Sequence, residues 1–357
     1  MISLAEPIIT EQDKAFVIDA LESGWINTSG KYINMLSEEL CKASGCSYAV
    51  PVVNGTSGLF MALKALRIGP GDKVIVPSIT FIASVNAIVH TGAEPIFADC
   101  DDSLNIDTNK LKEFLDTSND SSIKAIMPVH IFGNPCEMDS IISIANKHGL
   151  FVVEDACEAL GSKYKDKYCG GIGDIGVYSF SFNKMITSGN GGAIVTNNKN
   201  IADKIRYWIT QSKDDPENYI HNEVGYNLGL TNIQAALGYS QILRLSEIIK
   251  QKQKNIKQYN SLLKHDIFYY QEGNGWFVGY ITINKNKIVQ KLKEEGIQTR
   301  PLWTPNHLQK PFKSYSRIGN LKVSEYYGNN VINLPCGINL TEEQINYICE
   351  IIIKEDC

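Results

Sequence analysis

Hydrophobic positions change period several times along the chain, and the changes outline a fold. Over residues 11–22 apolar side chains recur at Ala15, Phe16, Ile18 and Leu21, a helical spacing that ends near Gly24. From Val50 to about Gly238 short apolar runs alternate with helical stretches. The runs are Val74–Pro77, Pro95–Asp99, Ala125–His130, Leu150–Glu154, Ile175–Phe180 and Ala193–Thr196. Such compact, nearly unbroken apolar runs belong to strands covered on both faces. Their alternation with helices predicts an α/β sandwich with a mostly parallel central sheet.

After Gly238 the texture changes. A helix is expected over Tyr239–Leu262, with Lys and Gln on its outer face, then a strand over Trp276–Ile283. A helix over Lys287–Glu295 should end at Gly296, and a last helix should open at Thr341, with Glu342, Glu343 and Gln344 in its first turn. The change of pattern predicts a large domain over residues 1–240 and a smaller α+β domain over residues 241–357. No internal repeat is present.

Charge and cysteine content narrow the class of function. With 43% hydrophobic residues, 20% charged residues and a net charge of −5, the chain has ordinary globular composition and no electrostatic reason to bind nucleic acid. No apolar stretch approaches the length of a membrane span, and Met1–Pro7 lacks the pattern of a secretory signal, so a cytoplasmic protein is expected. Nine cysteines at 41, 46, 100, 136, 157, 169, 336, 349 and 357 form no CxxC pair. That argues for free thiols in a reducing compartment and against a zinc site or a disulfide frame.

The chemistry starts at Lys184, in Ser179-Phe-Ser-Phe-Asn-Lys184-Met-Ile-Thr-Ser-Gly189-Asn-Gly191-Gly192. A lysine between aromatic residues and a glycine turn is poorly placed as a surface charge. It is well placed to condense with a carbonyl, which needs a partly desolvated amine. Asp155 closes the apolar run Leu150–Glu154, at the strand end where open α/β sheets bind ligands. A carboxylate there can pair with a protonated pyridine nitrogen, as pyridoxal phosphate (PLP) requires. Alone, it reads better as the cap of a following helix, and Lys184 beside a neighbouring strand is what tips the balance. Asn54-Gly55-Thr56-Ser57-Gly58 runs into a helical pattern, and a glycine with two hydroxyls at a helix start suits a phosphate dianion. Ser179 is a second candidate phosphate donor. His130, at the end of an expected strand, either lines the same crevice or is a structural histidine.

Taken in order, these segments resemble the DegT/DnrJ/EryC1/StrS family of PLP-dependent nucleotide-sugar aminotransferases. The resemblance runs nearly end to end. Its anchors are Ser23–Gly30 around Trp25, Asn54–Ser57, Pro77–Ile88, Glu154–Gly161, Ser179–Gly192, Gly225–Asn227, Ile233–Gly238 and Gly296–Trp303. It implies the fold type I transferase architecture and a homodimer with shared active sites. Lys184 would form the Schiff base and move the proton, Asp155 would hold the pyridine nitrogen, and Phe81, otherwise a plain core aromatic, would stack on the ring. Gly55, Thr56, Ser57 and Ser179 would bind the phosphate, with Asn227 reaching in from the second subunit.

Three positions depart from the commoner pattern. Glu158, near the expected phenolic oxygen, stands where Gln or His is usual, although perosamine synthases also carry Glu there. Asn190 replaces a frequent Glu, and Gly229 a frequent Arg. The implied reaction moves an amino group from glutamate to a keto carbon, C4 by preference, of a nucleotide-linked 4-keto-6-deoxyhexose for surface glycans. Lys31 and Arg300 are candidate positive groups for that anion, and Trp25 and His307 further candidates for substrate contact. A sugar 3-dehydratase on the same fold would carry histidine at position 184, and a catalytically idle PLP-binding regulator would be expected to have lost Lys184 or Asp155. Neither pattern is met.

Overall fold

A computed structural model describes residues 1–264, 267–268 and 270–356; Cys357 lies outside them. The large sheet has seven strands, β1 (Tyr48–Val52), β2 (Lys73–Pro77), β3 (Glu94–Ala98), β4 (Ile123–Ile126), β5 (Phe151–Asp155), β8 (Ile175–Ser179) and β9 (Gly192–Thr196). Between β5 and β8 a small hairpin, β6 (Lys163–Tyr164) and β7 (Lys167–Tyr168), stands apart. The order across the sheet is β1-β9-β8-β5-β4-β2-β3. All pairings from β8 to β3 are parallel, whereas β9 runs antiparallel to both β8 and β1.

This topology makes one edge of the sheet special. The carboxyl ends of β1, β2, β5 and β8 lie there, and the reversed β9 brings its amino end, Gly192, to the same edge against Val52 and Ser179. Everything that follows those ends, from Asn54, Ser78, Ala156 and Phe180 onward, therefore converges. Apolar side chains from both sheet faces feed buried clusters, for example Val74 and Val76 on one side and Ile75 on the other, as period-two alternation requires.

A second sheet of three antiparallel strands, β10 (Val278–Ile281), β12 (Val331–Leu334) and β11 (Arg300–Pro301), carries the C-terminal part of the chain. The helix Leu245–Leu262 packs on the final helix, Glu342–Asp356. Thr341 and Gln344 cap that last helix reciprocally.

Three elements differ from the sequence expectation. The run Ala125–His130 pairs as a strand only through Ile126, because Pro128 has no N–H to offer the ladder and only accepts from Asp155. The helix expected over Tyr239–Leu262 is two helices, Asn232–Ile242 and Leu245–Leu262. The break falls where the Arg244 guanidinium turns to the buried carboxylate of Asp13, 2.8 Å away. Of Trp276–Ile283 only Val278–Ile281 is strand. Trp276 directs its N–H to the Asn274 side chain and its carbonyl to Lys252 instead.

Candidate active site

Lys184 sits in the irregular loop between β8 and β9, its side chain 13% exposed. Its Nζ lies 3.5 Å from Glu158 Oε1 and 4.0 Å from the centroid of the Trp276 ring. The amine is thus held between a carboxylate and an aromatic face, both of which favour a cation.

Glu158 follows β5 by three residues. Its Oε2 accepts the backbone N–H of Phe132 at 2.9 Å. Burial, only partly offset by Lys184 and the Phe132 N–H, pushes its carboxyl up to about 7. The carboxylate is therefore poised to gain or lose a proton near neutral pH.

Asp155 ends β5, nearly buried, beside the parallel strand β8. No helix follows it. Ala156–Gly161 is a pair of turns, so the capping alternative is replaced by an Asx turn in which Asp155 Oδ1 accepts from Cys157 N at 3.2 Å. Its Oδ2 accepts from Ser84 Oγ at 2.7 Å, and Ser84 also meets Thr80. This chain of hydroxyls links Asp155 to the segment carrying Phe81. Phe81 precedes the helix Ile82–His90 and leaves its ring more than half exposed, 6.5 Å from Trp303.

The neighbouring Glu154 points to the opposite side of the strand. It accepts four hydrogen bonds, from Gly170, Ile172 and Gly173 N–H groups and from His130 Nε2. His130 is fully buried, and its Nδ1 accepts from Cys136 N, which leaves the ring proton on Nε2. Of the two readings of His130 the structural one holds.

The helix Gly55–Ala65 begins with Asn54 capping Ser57 N at 2.8 Å. A Cβ on Gly55 would stand 2.8 Å from Cys157 Sγ and 3.1 Å from Ser179 Cβ, so only glycine lets this helix start close against the turn after Asp155 and the end of β8. The Thr56 and Ser57 hydroxyls meet no hydrogen-bond partner among the described residues.

The outer candidates are held differently. Trp25 is exposed and lines a shallow cleft with Ser23, Gly30, Lys31 and Asn232. Lys31 pairs with Asp19 at 2.7 Å, and the exposed Arg300 donates to the Thr299 carbonyl. His307 is not open to the crevice. It is buried, with Nδ1 against Ser78 Oγ at 2.7 Å and Nε2 against Glu325 Oε1 at 3.2 Å, so neither ring nitrogen is left for a ligand. Asn227 is exposed and bridges Thr210. Gly229 is buried, and a Cβ there would meet Thr28 at 3.3 Å, which leaves little room for a larger side chain directed that way. The carbonyl of Asn190 receives Ser188 Oγ and Gln234 Nε2.

Trp276 and Asn274 border this arrangement without having been singled out by motif; Trp303, which closes the anchor Gly296–Trp303, borders it too. The Trp276 indole N–H donates to Asn183 O at 2.7 Å, and Asn274 Nδ2 donates to the carbonyls of Glu158 and Leu160.

A family model for DegT/DnrJ/EryC1/StrS aminotransferases matches residues 7–353. The chain belongs to that family. It is a PLP-dependent aminotransferase of fold type I. Among curated relatives, the GDP-perosamine synthase of Escherichia coli O157:H7 is 37% identical, the match covering 98% of this chain and 97% of the relative. The GDP-perosamine synthase of Caulobacter vibrioides is 34% identical over 97% and 96%. Among solved structures, a DegT/DnrJ/EryC1/StrS aminotransferase from Brucella abortus superposes with a TM-score of 0.92 at 29% identity, covering 97% of this chain and 95% of that one. Helicobacter pylori PseC, an aminotransferase of pseudoaminic acid biosynthesis, gives 0.92 at 26% identity with 99% of each chain covered.

Proposed function

We propose that the chain transfers an amino group from glutamate to C4 of a nucleotide-linked 4-keto-6-deoxyhexose, for amino-sugar units of surface glycans. The observation that carries this reading is the convergence of Lys184, Glu158, Asp155 and the Gly55 helix start on one sheet edge. The relatives named as GDP-perosamine synthases support a keto-sugar acceptor and make a guanine nucleotide the first to test.

The residues fit PLP. The helix start offers backbone N–H groups and two hydroxyls, Thr56 and Ser57, without partners among the described residues, for the phosphate, with Ser179 close by. Asp155 supplies a nearly buried anion for the ring nitrogen, its orientation fixed by Ser84 and the Asx turn. The half-exposed Phe81 offers a face for the ring, and Glu158 a proton-sharing group for the phenolic oxygen. When bound, PLP carries the amino group and takes up the electron pair released at the reacting carbon. Lys184 would hold the cofactor, and its free amine would move the proton at the reacting carbon.

Homodimerisation is part of the proposal. Phe182, two residues from Lys184, is 59% exposed, and Tyr219 and Val224, on the arm before Asn227, are 77% and 85% exposed. Apolar groups so placed suit cover by a second copy that would bring its Asn227 to the phosphate. Trp25, Lys31 and Arg300 would then meet the nucleotide-sugar. The division near residue 240 into a large PLP-binding domain and a smaller one belongs to the same reading. So does a cytoplasmic location, supported by the eight cysteines among the described residues all being free; among those residues no helix is long and apolar enough to cross a membrane.

Purified chain supplied with PLP and glutamate should convert one member of a panel of GDP-, UDP- and dTDP-linked keto-sugars to an amino-sugar about one mass unit heavier, as replacing a carbonyl oxygen by an amine and hydrogen requires. Replacement of a ring hydroxyl by hydrogen, with ammonia released and no nitrogen gained by the sugar, would instead mark a dehydratase.

A further inference from the structure

The amine of Lys184 rests against a residue from the far part of the chain, and the contact is braced on every side. Trp276 is buried, with its ring centroid 4.0 Å from Lys184 Nζ, and its indole N–H ties the Lys184 loop by donating to Asn183 O. Its backbone N–H donates to Asn274 Oδ1 at 3.0 Å, and its carbonyl accepts from Lys252 Nζ at 3.2 Å. Lys252 is itself buried and also donates to the Cys336 carbonyl at 2.8 Å, without a carboxylate partner among the described residues. Asn274 carries the bracing across to Glu158, to whose carbonyl its Nδ2 donates at 2.8 Å, and its own backbone N–H donates to Ser162 Oγ. One short strap, residues 273–276, thus carries both Asn274, which bonds the Glu158 backbone, and the ring on which the amine lies.

A lysine that must alternate between covalent attachment and free proton carrier has a long flexible stem, and its free amine needs a defined place. We propose that Trp276 is a positioning residue for the amino-transfer reaction: its indole face fixes the resting place of the free Lys184 amine opposite Glu158, while Asn274 and Lys252 hold its backbone and the Asn183 carbonyl holds its indole N–H. The inference rests on the reading of Lys184 as the PLP-binding lysine. An aromatic face attracts an ammonium without a competing hydrogen bond, so the amine is held yet free to leave.

The test compares full-length wild type, Trp276→Leu and Trp276→Phe. Each is freed of cofactor by dialysis, and covalent capture of pyridoxal phosphate is followed by absorbance. Affinity for pyridoxamine phosphate, which needs no lysine, is measured in parallel. Trp276→Leu should capture the cofactor about fivefold to tenfold more slowly, the range expected for loss of a partly desolvated cation–aromatic contact. Its pyridoxamine phosphate affinity should stay within about twofold, and the loaded enzyme should lose kcat with KM nearly constant. Trp276→Phe keeps a ring face without the indole N–H and should recover most of the rate. Capture at the wild-type rate in Trp276→Leu overturns the proposal. So does a parallel loss of pyridoxamine phosphate affinity, which would mark general structural damage, or a Trp276→Phe variant no better than Trp276→Leu. Borohydride reduction of loaded wild type followed by peptide mapping checks the underlying reading separately, since a label on a lysine other than Lys184 would refute that reading whatever the capture rates.

Discussion

The floor of the crevice and its rim are built on opposite terms. On the floor, Asp155, Glu158 and Lys184 are nearly buried, and each has its position dictated by neighbours from distant parts of the chain: Ser84, the Phe132 N–H, Trp276. On the rim, Trp25, Lys31, Arg300 and Asn227 are exposed, and the two cations satisfy themselves locally, Lys31 on Asp19 and Arg300 on the adjoining Thr299 carbonyl. Buried polar groups must be paired to be tolerated, so the floor is preorganised by the fold itself. The rim has no such constraint, and its side chains can exchange present partners for a ligand or a second subunit. On the proposed function, chemistry common to the family belongs on the first surface, and choice of substrate on the second.

The comparison breaks most sharply at Lys184. Lys184→Ala should lower turnover by on the order of 10⁴-fold or more, the upper range for loss of a proton-transfer group, while thermal melting and pyridoxamine phosphate binding stay close to wild type. The fold does not depend on an amine whose close contacts are one ring face and one carboxylate. Near-normal steady-state amine formation in the purified variant would remove Lys184 from the floor altogether.

Much of this floor can be read from sequence because its parts close local patterns. Asp155 ends an apolar run, Gly55 starts a helix, and Lys184 lies between two strands in consecutive order. What could not be read depends on contacts distant in sequence. Trp276 lies 93 residues from its partner Asn183, and nothing in the spacing around it sets it apart from a strand tryptophan. His130 and Glu154 face away from the crevice because pleating alternates, and a strand interrupted at Pro128 gives no phase to count from. The helix break at Arg244 has no Gly or Pro to announce it, since the cause is a carboxylate 231 residues earlier. His307 carried a family likeness, but its ring nitrogens are already engaged by Ser78 and Glu325.

Glu158 tests whether the floor tolerates a charge it does not need. With its carboxyl pushed up to about 7 from an ordinary 4.5, the folded chain holds a proton there that the unfolded chain releases. Stability associated with that proton is complete below about pH 4.5 and is lost as the pH rises through 7. Glu158→Gln carries no such charge, so the cofactor-free variant should melt above wild type at pH 8 and close to it near pH 5. The loaded variant should show a displaced pH titration of its absorbance and keep activity within roughly tenfold, because the proposed function gives the essential proton transfer to Lys184 and not to Glu158. Unchanged titration and unchanged melting at pH 8 would mean that Glu158 does not face the reacting centre.

The rim should respond weakly and in a different parameter. Lys31 is bound to Asp19, whose carboxyl is held below its ordinary range by Lys31 and Tyr32. Any phosphate that recruits Lys31 must therefore displace a carboxylate already there, and the net gain is the difference between two exposed ion pairs. Such pairs are worth little and are screened by salt. Lys31→Ala should raise KM for the nucleotide-sugar by about threefold at low ionic strength, with kcat unchanged, and the difference should fade as salt is added. Asp19→Asn, which frees the lysine, should shift KM in the opposite direction. If Lys31→Ala lowers kcat instead, the cation takes part in organising the reacting groups, and the division between a preorganised floor and an adaptable rim fails at that residue. If neither variant moves KM, the anion is met elsewhere, and Arg300 becomes the cation to substitute next.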